Sequence, residues 1–301
     1  MAAIYNNNNN TLKRVVLVTG GNTGIGLAAC KDLIQRDNTH VLLTGRNQER
    51  VNAAVEQIRP AAAATSSIEG AVLDLGNLNQ VRDYCDQLKK QDIMLDAIVC
   101  NAAIAIPTPD LTEQGYGLMF TVNHLGHFLL ANKLRDVTKR VIVVTSETHD
   151  PAVVPGMGLS IDEIDDLVYA RGKMGTGFAY PVSKLCNLLF MHEMLRRFPN
   201  GPDCVAYTPG LTPDTSLSRH SNMDKSKEVE RVRAMGVYIN TSEAAGQFLS
   251  ALSAGDWAKE AWTSGMYFAS HKPSEPSQGS KDETVGRALW EKSEELLTGL
   301  L

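Results

Sequence analysis

A tyrosine and a lysine four positions apart, Tyr180 and Lys184, are the side chains of this sequence best suited to proton chemistry. They lie in the stretch GFAYPVSKLCNLLF (177–190), and on a helix this spacing puts both on one face, about one turn apart. A free phenol has a pKa of about 10, and a neighbouring ammonium favours its ionised form. The pair is therefore either a proton-transfer device or two residues that merely share a face.

Short β-branched runs recur along the chain and define the elements that would position this pair. The runs are RVVLVTG (14–20), HVLLTG (40–45), GAVLDL (70–75), LDAIVCNAA (95–103), RVIVVTS (140–146), CVAYTPG (204–210) and SGMYFAS (264–270). Stretches with helical apolar spacing separate most of them, and this alternation is typical of a parallel sheet covered on both faces. The sequence predicts an α/β fold: one doubly wound parallel sheet of about seven strands with helices on both faces.

Two segments interrupt the alternation of strands and helices. Residues 149–177 precede the helix of Tyr180 and are rich in Gly, Pro and Asp, and residues 211–240 are polar and irregular. Ligands of open α/β sheets bind beyond the carboxyl ends of the strands, which is where both segments emerge. We expect an insertion (149–177) and a lid (211–240) that wall a substrate site. The asparagine-rich residues 1–12 predict a disordered tail, which leaves 13–301 as one domain.

The first strand runs directly into TGGNTGIG (19–26), a glycine-rich stretch. A strand, a glycine turn and a helix bring backbone N–H groups against a pyrophosphate, and missing Cβ atoms allow close approach. The spacing GxxxGxG differs from the common GxGxxG, so its position after the first strand, and not the spacing, argues against a simple tight turn. We predict a dinucleotide site that includes Gly20, Asn22, Thr23, Gly24, Ile25 and Gly26.

The end of the second strand bears on the choice of cofactor. An acid there usually binds the ribose 2′-hydroxyl of NAD, whereas an arginine suits the 2′-phosphate of NADP. The sequence is HVLLTGRNQER, with Arg46 and no acid at the strand end. We predict NADP(H) with Arg46 as the phosphate partner; the alternative is a solvated surface arginine.

Further motifs follow in a fixed order. They are LDL with Asp74, CNAA with Asn101, VNHLGHF with Asn123, VTS with Ser146, YPVSK with Tyr180 and Lys184, and PG at Pro209–Gly210. With the glycine loop, they resemble the short-chain dehydrogenase/reductase family over residues 14–210. The resemblance implies a Rossmann-type fold and an oxidoreductase. It also implies that the cofactor contacts Asp74, Leu75, Asn101, Ala102, Ala103, Tyr180, Lys184, Pro209, Gly210 and Thr212.

Carbonyl reduction needs a hydride on carbon, which a nicotinamide supplies, and a proton on oxygen from an acid within hydrogen-bond reach. Tyr180 is the natural acid, or the base in the oxidative direction. Lys184 is expected to lower the pKa of Tyr180 and, as the resemblance implies, to hold the nicotinamide ribose. Ser146 is expected to donate to the substrate oxygen. By analogy, Asn123 helps to carry a water relay from Lys184 to solvent.

Two of these roles have alternatives. Thr145 or Thr148 could contribute the hydroxyl, in which case Ser146 would only cap a strand end. Asn123 could merely join neighbouring strands through its amide.

Several stretches resemble one branch of the family, the light-dependent protochlorophyllide reductases and the retinol-dehydrogenase-like enzymes. They are VNHLGHFLLANKL, SKLCNLLFMHEMLRRF, TSEAAGQFL and VGRALWEKSEELLTGL. The photoenzymes use NADPH, but they carry a cysteine where this chain has Leu211 and a longer insertion between the positions of Ser146 and Tyr180. We favour a dark carbonyl reductase or alcohol dehydrogenase acting on a hydrophobic molecule. The alternatives are light-dependent reduction of protochlorophyllide and a non-catalytic NADP(H)-binding sensor.

Composition and charge narrow the remaining functions. A net charge of −5 argues against a nucleic-acid partner, and no apolar run approaches the roughly 18 residues of a membrane span. Five scattered cysteines without a CxxC pair fit a reduced compartment, and we expect a cytoplasmic protein. His124 and His127 lack further ligands, so no metal is predicted. The 149–177 insertion can cover the surface through which family members dimerise, which favours a monomer.

Overall fold

The computed structural model describes residues 13–217, 225–234 and 236–301, and strands alternate with helices through them. The predicted tail lies outside the described residues, as do 218–224 and 235 of the predicted lid. The strands are β1 (Arg14–Val18), β2 (Thr39–Gly45), β3 (Ser67–Val72), β4 (Ala97–Cys100), β5 (Arg140–Val144), β6 (Asp203–Thr208), β7 (Tyr267–Ala269) and β8 (Lys272–Ser274). The α-helices are α1 (Gly24–Gln35), α2 (Gln48–Ile58), α3 (Leu78–Lys90), α4 (Leu118–Phe120), α5 (Gly126–Leu134), α6 (Ile164–Val168), α7 (Ala179–Arg197), α8 (Lys225–Ala234), α9 (Ser242–Ala254) and α10 (Glu283–Leu296).

The strands form one sheet in the order β3-β2-β1-β4-β5-β6-β7-β8. All neighbours are parallel except β7 and β8. The chain reverses its direction of travel across the sheet between β3 and β4, so a switch point opens beside β1 and β4. Ligands of doubly wound sheets bind at this point, beyond the carboxyl ends of the strands. The predicted doubly wound parallel sheet is confirmed.

The sheet has eight strands where the sequence predicted about seven. The extra strand is β8, which pairs antiparallel with β7 through Tyr267 and Ser274. Ser270 turns the chain between them with a φ of 60°. The residues of β8 are Lys, Pro and Ser, and a polar edge strand of three residues carries no apolar run from which it could be predicted.

Both faces of the sheet are buried, which explains the near-continuous apolar runs of the strands. Val15 and Leu17 of β1 face one apolar cluster, and Val16 and Val18 face another. The first cluster includes residues of α3, α5, α7 and α10, and the second includes residues of α1, α2 and α9. One layer of helices therefore covers each face of the sheet and leaves its carboxyl edge in place between them.

The chain itself covers α7, the helix of Tyr180. Trp290 of α10 stacks on Phe190 of α7 with ring centroids 5.8 Å apart. The insertion packs on the same side through buried residues that include Leu167 and Val168 of α6. An ion pair of 3.0 Å between Lys292 and Asp165 joins α10 to the insertion.

Among the described helices, none combines the length and the apolar character that crossing a membrane requires. The five cysteines are buried and unpaired.

Candidate active site

The glycine loop turns sharply from β1 into α1. Gly20 and Gly24 have φ values of 63° and 53°, which favour glycine because a Cβ crowds the backbone there. A Cβ on Gly26 would lie 2.4 Å from the carbonyl oxygen of Gly20 and 2.6 Å from Nδ2 of Asn101. Thr23, the residue before α1, makes no side-chain capping bond, so the first N–H groups of the helix keep their capacity to bind an anion.

A brace of hydrogen bonds fixes this loop to β4. The Thr19 hydroxyl accepts from the N–H groups of Asn101, at 2.9 Å, and Ala102, at 3.0 Å, and Asn101 Nδ2 donates to the Thr19 carbonyl at 2.8 Å. His127 extends the brace: its Nε2 lies 2.8 Å from Thr19 Oγ1, and its Nδ1 lies 3.3 Å from the Asn123 carbonyl. Burial lowers the pKa of His127 to about 3, so this histidine links elements in its neutral form.

A cleft extends from the glycine loop along the carboxyl edge of the sheet to Tyr180. The predicted residues that line it are Gly20, Asn22, Thr23, Gly24, Ile25, Arg46, Asp74, Leu75, Asn101, Ala102, Ala103, Tyr180, Lys184 and Pro209. Residues far apart in the sequence therefore share one surface, because each follows the end of a different strand.

The remaining predicted cofactor residues do not line the cleft. Gly26 packs beneath the loop, as its Cβ distances show. Gly210 has a φ of 82°, and a Cβ there would lie 2.5 Å from the Tyr238 carbonyl. Thr212 is buried and its hydroxyl donates to the Gly210 carbonyl at 3.3 Å. Thr215 lines the cleft instead, and its Cγ2 would lie 3.3 Å from a Cβ on Gly24.

At the end of β2 the cleft is cationic. Arg46 and Arg50 both line it, with Asn47 between them. Asn47 begins α2 by accepting from the Arg50 N–H at 2.9 Å, so the two arginines lie on either side of a helix start. Asp74 is the one acid among the described lining residues, and its Oδ1 accepts from the Gly76 N–H at 2.9 Å.

Tyr180 and Lys184 lie on consecutive turns of α7, as their spacing predicted. The ammonium of Lys184 lies 5.7 Å from the centre of the Tyr180 ring. Its Nζ donates to the Val144 carbonyl at 3.2 Å, and the side chain is almost completely buried. Thr145 fixes the helix to the end of β5, because its hydroxyl donates to the Lys184 carbonyl at 2.8 Å.

The pKa values of the pair differ from the sequence expectation. Burial raises the pKa of Tyr180 to about 12, a hydrogen bond with Ser146 lowers it, and the Glu147 carboxylate raises it. The Tyr180 pKa therefore lies above its ordinary value and not below it, because desolvation is the largest effect. Burial lowers the pKa of Lys184 to about 8. Tyr180 consequently holds its proton at neutral pH, which is the form that a general acid requires.

Ser146 follows β5 after Thr145, and it lies near enough to the Tyr180 hydroxyl to lower the pKa of the phenol. Its Oγ also lies 3.3 Å from the Thr148 backbone N and 3.1 Å from the Thr148 hydroxyl. Of the two alternative hydroxyls, that of Thr145 is committed to α7 and that of Thr148 contacts Ser146. Ser146 is thus the hydroxyl that the structure brings to Tyr180.

Asn123 is fully buried in a π-helical turn (Thr121–Leu125) between α4 and α5. Its Oδ1 accepts from the Ile104 N–H at 2.8 Å, and its Nδ2 donates to the Ile104 carbonyl at 3.0 Å and to Ser183 Oγ at 3.0 Å. Ser183 in turn donates to the Tyr180 carbonyl at 2.7 Å. The amide therefore joins the loop after β4 to the first turn of α7.

The sequence of this chain is similar to those of known proteins. A family model described as short chain dehydrogenase matches residues 14–151. Human retinol dehydrogenase 13 is 31% identical over 94% of this chain and 84% of its own length. The chain belongs to the short-chain dehydrogenase family. Protochlorophyllide reductase A of rice is 32% identical over 94% of this chain and 80% of its own length, so the predicted branch is confirmed.

A solved structure has the same fold. A protein from Mycobacterium paratuberculosis, whose structure is titled uncharacterized, superposes with a TM-score of 0.71 and 26% identity over 95% of this chain and 93% of its own. As a short-chain dehydrogenase, the protein is an oxidoreductase that acts on a small molecule with a nicotinamide cofactor.

Two residues that line the cleft of this short-chain dehydrogenase, Arg50 and Thr215, were not predicted as site residues. Thr148, which the sequence offered only as an alternative to Ser146, contacts the Ser146 hydroxyl. Arg50 had a usable signal, because it follows Arg46 by four residues around a helix start. For the threonine after Gly210 the sequence predicted Thr212, and the course of the chain brings Thr215 back to the glycine loop instead.

His124 and His127 are both buried and point to different partners. His124 packs among aromatic rings that include Phe120 and Phe128, and burial lowers its pKa to about 3. Within residues 13–217, 225–234 and 236–301, no three His, Cys, Asp or Glu side chains are grouped as a metal would need.

Proposed function

We propose that this protein reduces a ketone or aldehyde of a hydrophobic small molecule with NADPH, or oxidises the corresponding alcohol. The observation that carries the proposal is that Tyr180 and Lys184 line the end of the cleft together, with Ser146 near enough to Tyr180 to lower the pKa of the phenol. A protonated phenol next to a second hydroxyl is suited to one carbonyl oxygen.

The cleft fits a dinucleotide. The uncapped first turn of α1 and the positive φ angles of Gly20 and Gly24 leave backbone N–H groups for a pyrophosphate. Gly20, Asn22, Thr23, Gly24 and Ile25 are the proposed phosphate side, with Thr215 closing over Gly24. Asp74, Leu75, Asn101, Ala102, Ala103 and Pro209 are the proposed contacts along the rest of the cofactor.

The cofactor, when bound, supplies a hydride to the carbonyl carbon. Tyr180 gives its phenolic proton to the carbonyl oxygen, and Ser146 donates a hydrogen bond to that oxygen as negative charge develops there. The ammonium of Lys184 stabilises the resulting phenolate and is proposed to hold the nicotinamide ribose. A proton from solvent then restores Tyr180. The net change is carbonyl to alcohol, with oxidation of the cofactor.

Asn123 is proposed to support this chemistry by position. Its amide fixes the Ile104 backbone on one side and, through Ser183, the first turn of α7 on the other. We propose that any water relay from Lys184 to solvent depends on the loop that Asn123 holds.

Arg46 and Arg50 are proposed to bind the 2′-phosphate of NADP(H). Replacing Arg46 with alanine is expected to weaken NADPH binding by about tenfold to a hundredfold, because a charge-assisted bond to phosphate contributes about 1.5–3 kcal/mol. NADH binding should change less than about threefold, since NADH lacks that phosphate. Titration of cofactor fluorescence measures both constants. The matched control is Arg82→Ala on α3, away from the cleft; equal losses for both cofactors in Arg46→Ala would contradict the assignment.

The proposed reaction is tested by mixing the protein in the dark with NADPH or NADH and a panel of aldehydes, ketones, quinones and alcohols. Loss of nicotinamide absorbance with a carbonyl compound, faster with NADPH, is the expected result. An illuminated sample with protochlorophyllide forms a second arm, and a light-dependent product without dark turnover would favour the photoenzyme instead. Binding of NADPH with no turnover in either arm would favour a sensor.

We propose that residues 149–177 and the lid around Leu211 form the walls of the substrate site, in a single catalytic domain. Leu211 is held in place by backbone hydrogen bonds with Tyr238, at 2.9 Å, and Asn240, at 2.8 Å. This ladder fixes the start of the lid beside Pro209, whose carbonyl accepts from Asn240 Nδ2 at 2.9 Å.

We also propose a monomer. The support is that α10 and the insertion cover α7, which removes an apolar helix face from those available to a second copy. Sedimentation equilibrium at micromolar concentration is expected to give the mass of one chain, and a mass of two chains would refute this assembly.

A further inference from the structure

The three-residue turn Glu147–His149 follows Ser146 and contacts its hydroxyl. A hydroxyl has one proton to donate and two lone pairs that accept. Two groups of Thr148 contact Ser146 Oγ, the backbone N–H at 3.3 Å and the hydroxyl at 3.1 Å, and Ser146 is near enough to the Tyr180 hydroxyl to lower the pKa of the phenol. The backbone N–H can only donate, so it takes one lone pair of Ser146 permanently.

The turn is held on both sides, so that Thr148 cannot drift from Ser146. Glu147 accepts from the Thr208 hydroxyl at 2.7 Å, at the end of β6. His149 Nδ1 lies 2.6 Å from the Ser146 carbonyl, and His149 Nε2 accepts from the Ser277 N–H at 3.2 Å. Each residue of the turn thus has a separate anchor, and the side chain between the two anchors points back to Ser146.

We propose that Thr148 is a positioning residue for the reaction: its hydroxyl and backbone N–H both donate to Ser146, which leaves the Ser146 proton to be donated to Tyr180 or to the substrate oxygen. The hydroxyl of Tyr180 is then free to present its own proton to the substrate. Without the Thr148 hydroxyl, Ser146 has a spare lone pair and can accept the Tyr180 proton instead, which withdraws the acid from the substrate.

Ser146 and the turn after it act on Tyr180 in opposite senses. Ser146 lowers the pKa of the phenol, and the Glu147 carboxylate raises it.

The kinetic test rests on the proposed carbonyl reduction and uses a carbonyl compound that the wild-type protein turns over. Thr148→Val removes the hydroxyl while keeping the shape and the backbone N–H. We expect kcat to fall about tenfold, the effect of losing one such interaction in the transition state, with KM changed less than about twofold. Thr148→Ser restores the hydroxyl and is expected to recover kcat to within about threefold of wild type.

Urea unfolding and NADPH binding distinguish a positioning role of Thr148 in the reaction from a role in folding. Thr148→Val and Thr148→Ser should share the same urea midpoint and the same NADPH affinity. A wild-type kcat in Thr148→Val would overturn the proposal. So would an equal loss in Thr148→Ser, or a loss of kcat that follows a lowered urea midpoint.

The position of the Ser146 hydroxyl proton can be measured without turnover, so it tests this inference independently of the proposed function. Neutron diffraction from crystals grown in D₂O locates the deuterium of the Ser146 hydroxyl. A deuterium directed at Tyr180 supports the assignment, and one directed at Thr148 overturns it. If no carbonyl compound reacts, the proposed function fails while the neutron structure still decides this inference; if Tyr180→Phe is inactive and Thr148→Val is not, only the inference fails.

Discussion

Replacing Tyr180 with phenylalanine is expected to lower kcat for carbonyl reduction by at least about 10³-fold. The phenol is the proposed proton donor, and a positioned acid or base contributes about 10²–10⁴-fold. Because phenylalanine keeps the ring, the packing of the first turn of α7 should persist. Steady-state kinetics with a carbonyl compound from the panel give the loss directly.

NADPH binding distinguishes a lost proton donor from a damaged cleft. The dissociation constant should change less than about threefold in Tyr180→Phe, because the proposed phosphate contacts lie at the other end of the cleft. Tyr84→Phe is the matched control: Tyr84 belongs to α3 and is packed against the core away from the reactive pair. Turnover of Tyr180→Phe above a tenth of the wild-type rate would refute the assigned acid.

Replacing Lys184 with methionine is expected to make the protein more stable and less active. Burial lowers the pKa of Lys184 from 10.5 to about 8, and such a shift corresponds to roughly 3 kcal/mol. Below pH 8 Lys184 is charged in the folded protein, and burial of this charge destabilises the folded state by that amount. Methionine has a similar volume and no charge, and the Val144 carbonyl keeps a donor, since Asn187 Nδ2 also lies 3.2 Å from it.

The stability gain has a defined pH dependence. Between pH 8 and 10.5 the unfolded chain binds a proton that the folded chain does not, so wild-type stability rises with pH in that window. The gain in Lys184→Met should therefore be full at pH 7 and should shrink to nothing near pH 10.5. Urea unfolding at several pH values measures it, with Lys259→Met, at an 82% exposed side chain, as the control that should show no gain.

The catalytic activity of Lys184→Met should fall, although its stability rises. The Lys184 ammonium lies 5.7 Å from the centre of the Tyr180 ring. A charge at such a distance contributes roughly 3 kcal/mol to a phenolate at an effective dielectric of about 20, so kcat should fall about 10²-fold. The wild-type rate of reduction should decline as pH rises through about 8, where Lys184 loses its proton. That decline should be missing in Lys184→Met. An unchanged pH profile would show that another group is responsible.

Much of the site could be predicted because its residues follow local patterns. Tyr180 and Lys184 share a helix face by spacing alone. The glycine loop follows a strand that is recognisable by its apolar run, and Arg46 directly follows the next strand. Since the carboxyl ends of parallel strands meet at one edge, these separate patterns already predicted one cleft.

Other features depend on contacts between distant segments. Thr215 and not Thr212 lines the cleft because of the path that the chain takes after Gly210. The strand β8 exists only because a polar tripeptide finds β7 as a partner. Asn123 lies in a π-helical turn, which no periodicity of the sequence predicts, and from there it binds Ile104 and Ser183.

By itself, the sequence determined the order of strands and helices, the reactive pair on one helix face and the family to which the chain belongs. Only the tertiary structure decided the pKa values of that pair and which groups contact the Ser146 hydroxyl. Burial raises the pKa of Tyr180 to about 12 and lowers that of Lys184 to about 8. Desolvation depends on everything packed around a group, and spacing along a chain carries no measure of it.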